Sequence, residues 1–439
     1  MGGDKERGAL ARDVRGYIVH MGSYAAALAR WIIVAGAIGL VSGLLGSAFH
    51  IAVEAATRAR ASNDLIIWLL PLAGIACVGV YRLLSVEGLG TDAVIDQVLT
   101  GEGLTARLVP AVFAATALTH LAGGSAGREG AALQMGGGIG LRAGELFGLD
   151  ERDRRTATMA GMAAFFSALF GTPIAAAVFA MAVISVGAIY HVAFVPCLIS
   201  SLTAFGISLA LGVEPTRFSV NAPAFSPDML VRVAVLACAC GMLSVVFCEV
   251  LHKTEHFARK VAPNPWLRAA AGGALILALT LLLGTRDYNG AGMDVIARAV
   301  ELGQAAPGAF ADKIVFTAVT LAAGFKGGEV VPSFFIGATF GCVAGPLFGI
   351  PAGFAAAIGL IGVFCGATNC PIASTVLAVE LFGAPGLAYF GLSCGLSFML
   401  SGYSGLYSSQ RILYDKLKAS YIDVRANAYH EGGYKRTRS

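Results

Sequence analysis

Charge is what this sequence has least of. Only 13% of its 439 residues are Asp, Glu, Lys or Arg, where a soluble protein carries roughly 25%. So few charges exclude an ordinary soluble globular fold. Metal-binding cysteine patterns are missing as well. The nine cysteines lie mostly inside apolar runs, none beside His at ligand spacing, and Cys238 with Cys240 is only C-x-C on a helical stretch. They read as small core residues, and no metal or cofactor is expected. The apolar runs do not alternate with polar residues, which argues against barrel strands and leaves helices as the spanning element. The first 24 residues lack a compact apolar core with a small-residue cleavage site, so no cleavable signal peptide is expected.

Apolar residues make up 56% of the chain, and their runs recur from about Ala25 to Leu400. The chain therefore reads as an all-α polytopic membrane protein, with the lipid bilayer as its solvent. Lys5, Arg7, Arg12 and Arg15 precede the first run, and Lys416, Lys418, Arg425, Lys435, Arg436 and Arg438 follow the last. Both termini are expected in the cytoplasm, with an even number of crossings. Topology accounts for these basic tails better than a nucleic acid does.

We read residues 1–24 as a cytoplasmic amphipathic helix and 25–212 as a first membrane repeat. Residues 213–228 form an external connection, 229–405 a second repeat, and 406–439 a C-terminal helix with a short tail. A charged loop is expected at Asp150–Arg155, a polar connection at Arg286–Asp312, and a basic helix at about Ser408–Ala419. The halves repeat: GTPIAAAVFAMAV (Gly171–Val183) lies over NCPIASTVLAVEL (Asn369–Leu381), and Gly127-Arg128-Glu129 falls on Gly327-Gly328-Glu329. Each half has a short apolar run, a Gly-x-Glu turn and a Pro-Ile-Ala helix start. Such paired, broken segments point to a transporter-like fold with its site at the repeat interface.

The chain is organised around Gly123–Gly140, where eight of eighteen residues are glycine and the only charges are Arg128 and Glu129. A carboxylate at membrane depth is costly and reads as functional. Four helix starts are expected inside the membrane, near Thr91, Glu129, Val330 and Ile372. Their unpartnered N–H groups and positive dipole ends favour an anion. If they converge, they line a pocket with backbone donors and no full charge, able to hold an anion and release it. Ionised Glu129 would fill that site and protonated Glu129 would vacate it. The plainer alternative is that Glu129 only caps its helix or pairs with Arg128. Glu329 has a weaker case, as a first-turn carboxylate complementing a dipole, and Glu380 is balanced between a pairing role in the bundle and function.

At these residues the chain resembles the CLC family of chloride channels and anion/proton antiporters. GREG, Gly127–Gly130, is similar to the family's G(K/R)EGP motif, with Glu129 in the place of the gating glutamate. GEVVP, Gly328–Pro332, is similar to GxFxP, with Val330 at the filter aromatic. LYSSQRI, Leu406–Ile412, resembles the family's central-tyrosine helix start, with Tyr407 supplying the anion-coordinating hydroxyl. GLGTDA, Gly88–Ala93, stands where the family has GSGIPE, so Gly90 or Thr91 takes the place of the filter serine. The resemblance implies about eighteen membrane helices in two inverted-topology repeats, and a homodimer with one pore per subunit. It implies transport of chloride or fluoride, coupled to protons or gated through Glu129, in a bacterial inner membrane. The anion-binding candidates are Gly90, Thr91, Arg128, Gly130, Val330, Val331 and Tyr407. Ala131 and the GGEV sequence resemble the fluoride-transporting branch, whereas Thr91 and Asp92 replace that branch's asparagine pair. The antiporters' internal proton-transfer glutamate aligns with Val183.

Other functions leave weaker traces. Gly123-Gly124-Ser125-Ala126-Gly127 matches G-x-S-x-G, but in a glycine-rich stretch without the strand-turn-helix context of a hydrolase. A carrier of organic solutes would give metabolite counterflow and no halide current.

Overall fold

The computed structural model describes residues 2–418 and 420–427, with side chains described from residue 21. The side chains of the expected amphipathic segment up to residue 20, and Lys435, Arg436 and Arg438, lie outside the described residues. Sixteen α-helices are found among the described residues, eight in each half. The first half holds α1 (Gly2–Ser62), α2 (Leu70–Leu83), α3 (Thr91–Thr100), α4 (Leu108–Ala122), α5 (Glu129–Leu146), α6 (Glu151–Phe170), α7 (Pro173–Ala182) and α8 (Phe194–Ala210). The second holds α9 (Pro227–Val261), α10 (Pro265–Leu283), α11 (Met293–Glu301), α12 (Ala309–Ala323), α13 (Val330–Ala344), α14 (Ala352–Thr368), α15 (Pro371–Phe382) and α16 (Leu387–Leu400). Six helical segments are long and apolar enough to cross a membrane. This is an integral, multi-pass membrane protein.

The halves correspond helix by helix, and their breaks share one chemistry. α4 and α12 each have 15 residues and end on a left-handed glycine, Gly123 at φ 101° and Gly324 at φ 102°. α6 ends on Gly171 at φ 70° and α14 on Asn369 at φ 60°, both left-handed caps that only glycine or asparagine tolerates well. Thr172 and Cys370 follow, and Pro173 and Pro371 start α7 and α15. Proline has no N–H to lose at that position.

Gly127 and Gly328 form an isolated antiparallel bridge, each N–H donating to the other's carbonyl at 2.7 Å. A reciprocal pair between equivalent residues of two halves is what an inverted repeat produces at its axis. It also corrects the expected register. Gly127 is matched by Gly328 and not by Gly327, just as Glu129 and Val330 both open helices. Arg128, not Glu129, is therefore the counterpart of Glu329.

Close packing rests on missing side chains. A Cβ on Gly161 would stand 2.0 Å from the Gly136 carbonyl oxygen, and one on Gly359 would stand 2.1 Å from that of Gly337. These contacts join α5 to α6 and α13 to α14. In lipid, helix association depends on such approach, because apolar burial gives no advantage there.

Three expectations need correction. Asp150–Arg155 is no loop: the Asp150 carboxylate accepts the Asp153 N–H at 2.8 Å and caps α6, which begins at Glu151. The Arg286–Asp312 connection contains α11. The basic C-terminal helix is absent. There, β2 (Arg411–Tyr414) and β3 (Tyr421–Arg425) form a hairpin that pairs with β1 (Ser185–Val186), just after α7. The run Arg-Ile-Leu-Tyr suits a strand. Asp415 closes the turn by accepting the N–H groups of Leu417 at 2.8 Å and Lys418 at 2.9 Å. The Tyr403 hydroxyl donates to the same carboxylate and, with those N–H groups, holds its pKa below the usual carboxylate range.

Gly161→Leu is expected to destabilise the purified protein by on the order of 3 kcal/mol, read as a drop in thermal unfolding temperature in detergent. Gly206→Leu, on α8 where a Cβ would meet nothing within 4 Å, serves as the control and is expected to leave that temperature unchanged.

Candidate anion site

Each half of the bridge opens a helix. α5 leaves it at Glu129 and α13 at Val330, and neither start has a side-chain cap of the usual kind. The Glu129 side chain folds back instead: its Oε2 accepts the Arg128 backbone N–H at 2.9 Å, and its Oε1 lies 3.6 Å from the Arg128 guanidinium. The residue is buried. Its carboxylate thus occupies the amide-rich start of its own helix. Arg128 is held from its other side, donating to Nδ1 of His50 at 2.9 Å.

Next to the bridge lies a cavity of about 260 Å³, with Gly327 and Glu329 in its wall. It is also lined by Gly88, Gly90, Thr91 and Asp92 at the start of α3, by Gln134 of α5, and by Leu406, Tyr407 and Ser408 before the hairpin. α3 begins at Thr91 with Gly90 as its cap, so no side-chain oxygen takes its first N–H groups. Tyr407 is buried, and its hydroxyl has no hydrogen-bond partner among the described residues. An unpartnered buried O–H beside free helix amides is a donor set for an anion.

Of the sequence candidates, Gly90, Thr91 and Tyr407 meet in this cavity. Arg128, Glu129, Gly130, Val330 and Val331 lie at or just past the bridge, outside the cavity lining. The halves touch closely at Gly130, where a Cβ would stand 2.7 Å from Gly328 Cα. Val330 and Val331 are fully buried in the first turn of α13. The fourth expected start does not reach the cavity. α15 begins at Pro371, and Ile372 is 57% exposed on the outer face of the chain. Tyr407 sits in a turn, not at a helix start, with Gln410 N–H donating to its carbonyl at 3.2 Å.

The cavity is not free of full charge as expected. Asp92, Glu255, Glu329, Arg259 and Lys326 line it. One Glu329 oxygen, Oε2, is buried without a partner among the described residues, and it would stand 3.2 Å from a Cβ on Gly130. Sequence reasoning gave Glu329 the weaker case, as a first-turn carboxylate complementing a dipole, and did not foresee its unpartnered buried oxygen. It missed Gln134 and Ser409, and named Asp92 only as a replacement for one of the fluoride branch's asparagines. Ser409 donates its N–H to Asp92 and its hydroxyl to Asp96, both at 2.9 Å, and so ties the Tyr407 segment to α3.

Two other expectations resolve. Glu380 caps a helix: its carboxylate accepts the N–H groups of Ile174 at 3.1 Å and Ala175 at 2.8 Å, at the start of α7. Val183 is fully buried, and its carbonyl accepts Nε2 of Gln410 at 3.0 Å. Gln410, just before the hairpin, thus packs over the position that aligns with the antiporters' internal glutamate.

A family model described as voltage gated chloride channel matches residues 80–402. The chain belongs to the CLC family. It is 35% identical over 400 residues to a chloride/fluoride channel protein of Pseudomonas syringae pv. tomato, covering 89% of this chain and 88% of that one. It is 25% identical over 389 residues to an H(+)/Cl(-) exchange transporter of Yersinia pseudotuberculosis, covering 80% of each. Among solved structures, a CLC-type fluoride/proton antiporter superposes with a TM-score of 0.84 at 31% identity, over 88% of this chain and 98% of that one. A cyanobacterial Cl-/H+ antiporter at 19% identity shares the CLC fold, with a TM-score of 0.73.

If the Tyr407 hydroxyl holds the anion, Tyr407→Phe keeps the ring and weakens halide binding about tenfold, the worth of one hydrogen bond to a charge. Calorimetric titration of the purified protein with halide checks this; an unchanged affinity would remove the hydroxyl from the site.

Proposed function

We propose that this CLC protein moves a small halide across a bacterial inner membrane in exchange for protons, with Glu129 as the gate. The observation that carries the reading is the Glu129 carboxylate lying on the amide donors at the start of its own helix, beside a cavity lined by free donors. The anion enters the cavity and takes the N–H groups at the start of α3 and the hydroxyl of Tyr407. Beyond the bridge it competes with the Glu129 carboxylate for the same kind of donor. Protonation removes the charge, the side chain leaves, and the anion advances.

Protons need a second path, because Val183 cannot carry them. Glu329 is in the cavity wall, between the lining and Gly130, and is the carboxyl group suited to pass a proton from the cavity toward Glu129. Fluoride is the favoured cargo: the Pseudomonas relative is named for chloride and fluoride, the 31% identical structure is a fluoride/proton antiporter, and Ala131 and GGEV match that branch. The second reading is a gated chloride channel, favoured by the apolar Val183. In either case we place both termini in the cytoplasm. A homodimer is supported by α7 and α15, which are too short to span yet expose Ile174 and Ile372.

Reconstituted into liposomes, the protein is expected to release fluoride and take up protons, faster as pH falls, because the protonated gate is the open one. Glu129→Gln is expected to keep the anion flux and lose its proton coupling and pH dependence. Flux by an ion-selective electrode beside a pH electrode checks both; a Glu129→Gln protein with unaltered coupling would take Glu129 out of the role.

A further inference from the structure

Three hydroxyl side chains line the cavity, those of Thr91, Tyr407 and the half-buried Ser408, and the two buried ones are held differently. Tyr407 has no partner among the described residues. Thr91 is gripped from α5, where Nε2 of Gln134 donates to its Oγ1 at 3.1 Å. Thr91 and Gln134 are buried, with 8% and 7% of their surface exposed, and both line the cavity. Gln134 lies five residues beyond Glu129 on the same helix.

A hydroxyl has one hydrogen to give and two lone pairs to receive. An amide N–H pointed at Oγ1 occupies a lone pair and leaves the hydrogen to be donated elsewhere. Inside a helix, threonine usually gives it to the carbonyl four residues back. Thr91 is the first residue of α3, and the residue four back, Glu87, precedes a turn through Gly88 at φ 78°. No helical carbonyl is in place to take that hydrogen, and the open direction is the cavity.

We propose that Gln134 is a positioning residue for anion selectivity: by donating to Thr91 it fixes that hydroxyl as an O–H donor into the anion cavity. With Tyr407 this gives the cavity two buried hydroxyl donors. Fluoride, the smallest halide and the strongest hydrogen-bond acceptor among them, gains most from a second, oriented O–H, and chloride gains less. The inference rests on the halide reading above and specifies what sets its preference. A purely structural Gln134 would only tie α5 to α3, and would not act through the threonine hydroxyl.

The test is initial efflux of fluoride and of chloride from liposomes holding the full-length protein, over a range of anion concentrations. Gln134→Met and Gln134→Leu both remove the donor without adding charge. Each is expected to raise KM for fluoride about tenfold, to leave the maximal rate near wild type, and to move KM for chloride less. Thr91→Val is expected to do the same, and Gln134→Met added to Thr91→Val to do nothing more. The proposal is overturned if Gln134→Met raises KM in the Thr91→Val background as much as in wild type. It is also overturned if both Gln134 variants keep the wild-type fluoride KM, or lower the maximal rates of both anions equally. A wild-type protein that moves neither halide contradicts the underlying transport reading instead.

Discussion

Gly127 and Gly328 exchange hydrogen bonds of 2.7 Å at the centre of the molecule, and the site is built outward from that contact. Each strand of the bridge is too short to be a sheet and too close to admit side chains. Each then turns directly into a helix. In water such exposed helix starts would be solvated and unremarked. At membrane depth their amides have no solvent partner, so the bridge fixes two positive dipole ends beside the cavity. Gly130 against Gly328 is what permits the halves to meet there, and Gly136 against Gly161 lets α6 pack close behind α5.

From this constraint the charges take their places. One helix start is filled by the carboxylate of Glu129, which accepts the Arg128 N–H there. Near the other, Glu329 turns an unpartnered oxygen to the space between the bridge and the cavity. Tyr407 is brought opposite by the segment before the hairpin, which Ser409 locks to Asp92 and Asp96. The same hairpin closes over Val183. The C-terminal segment thus both brings the Tyr407 hydroxyl to the cavity and packs over Val183.

Much of this was legible in the sequence, and the reasons are physical. Scarce charge and long apolar runs gave the membrane class. Gly171-Thr-Pro173 and Asn369-Cys-Pro371 announced broken helices, because left-handed caps and N-terminal prolines leave few alternatives. Glu129 stood out as a charge among small residues, and the structure also keeps the plainer pairing in view, with Arg128 at 3.6 Å. What failed did so for want of long-range information. The repeat register slipped by one residue because three glycines, Gly127, Gly327 and Gly328, fit either alignment, and only the reciprocal bridge decides between them. Residues Arg411–Tyr414 have no helical cap, and of their two strand partners Tyr421–Arg425 follows a turn while Ser185–Val186 is over 220 residues away. Gln134 was hidden among glycines, since its meaning depends on Thr91 being on another helix.

The central claim is that a halide and the Glu129 carboxylate contend for helix-start amides beside the bridge. Anomalous diffraction from crystals of the protein grown with bromide tests it most directly. The account predicts a bromide peak within hydrogen-bond reach of the Tyr407 hydroxyl and the first amides of α3, with a second peak near the Gly127–Arg128 backbone once Glu129 is replaced by glutamine. Bromide bound elsewhere, or an empty cavity beside a Glu129 carboxylate still fixed on Arg128, would contradict it.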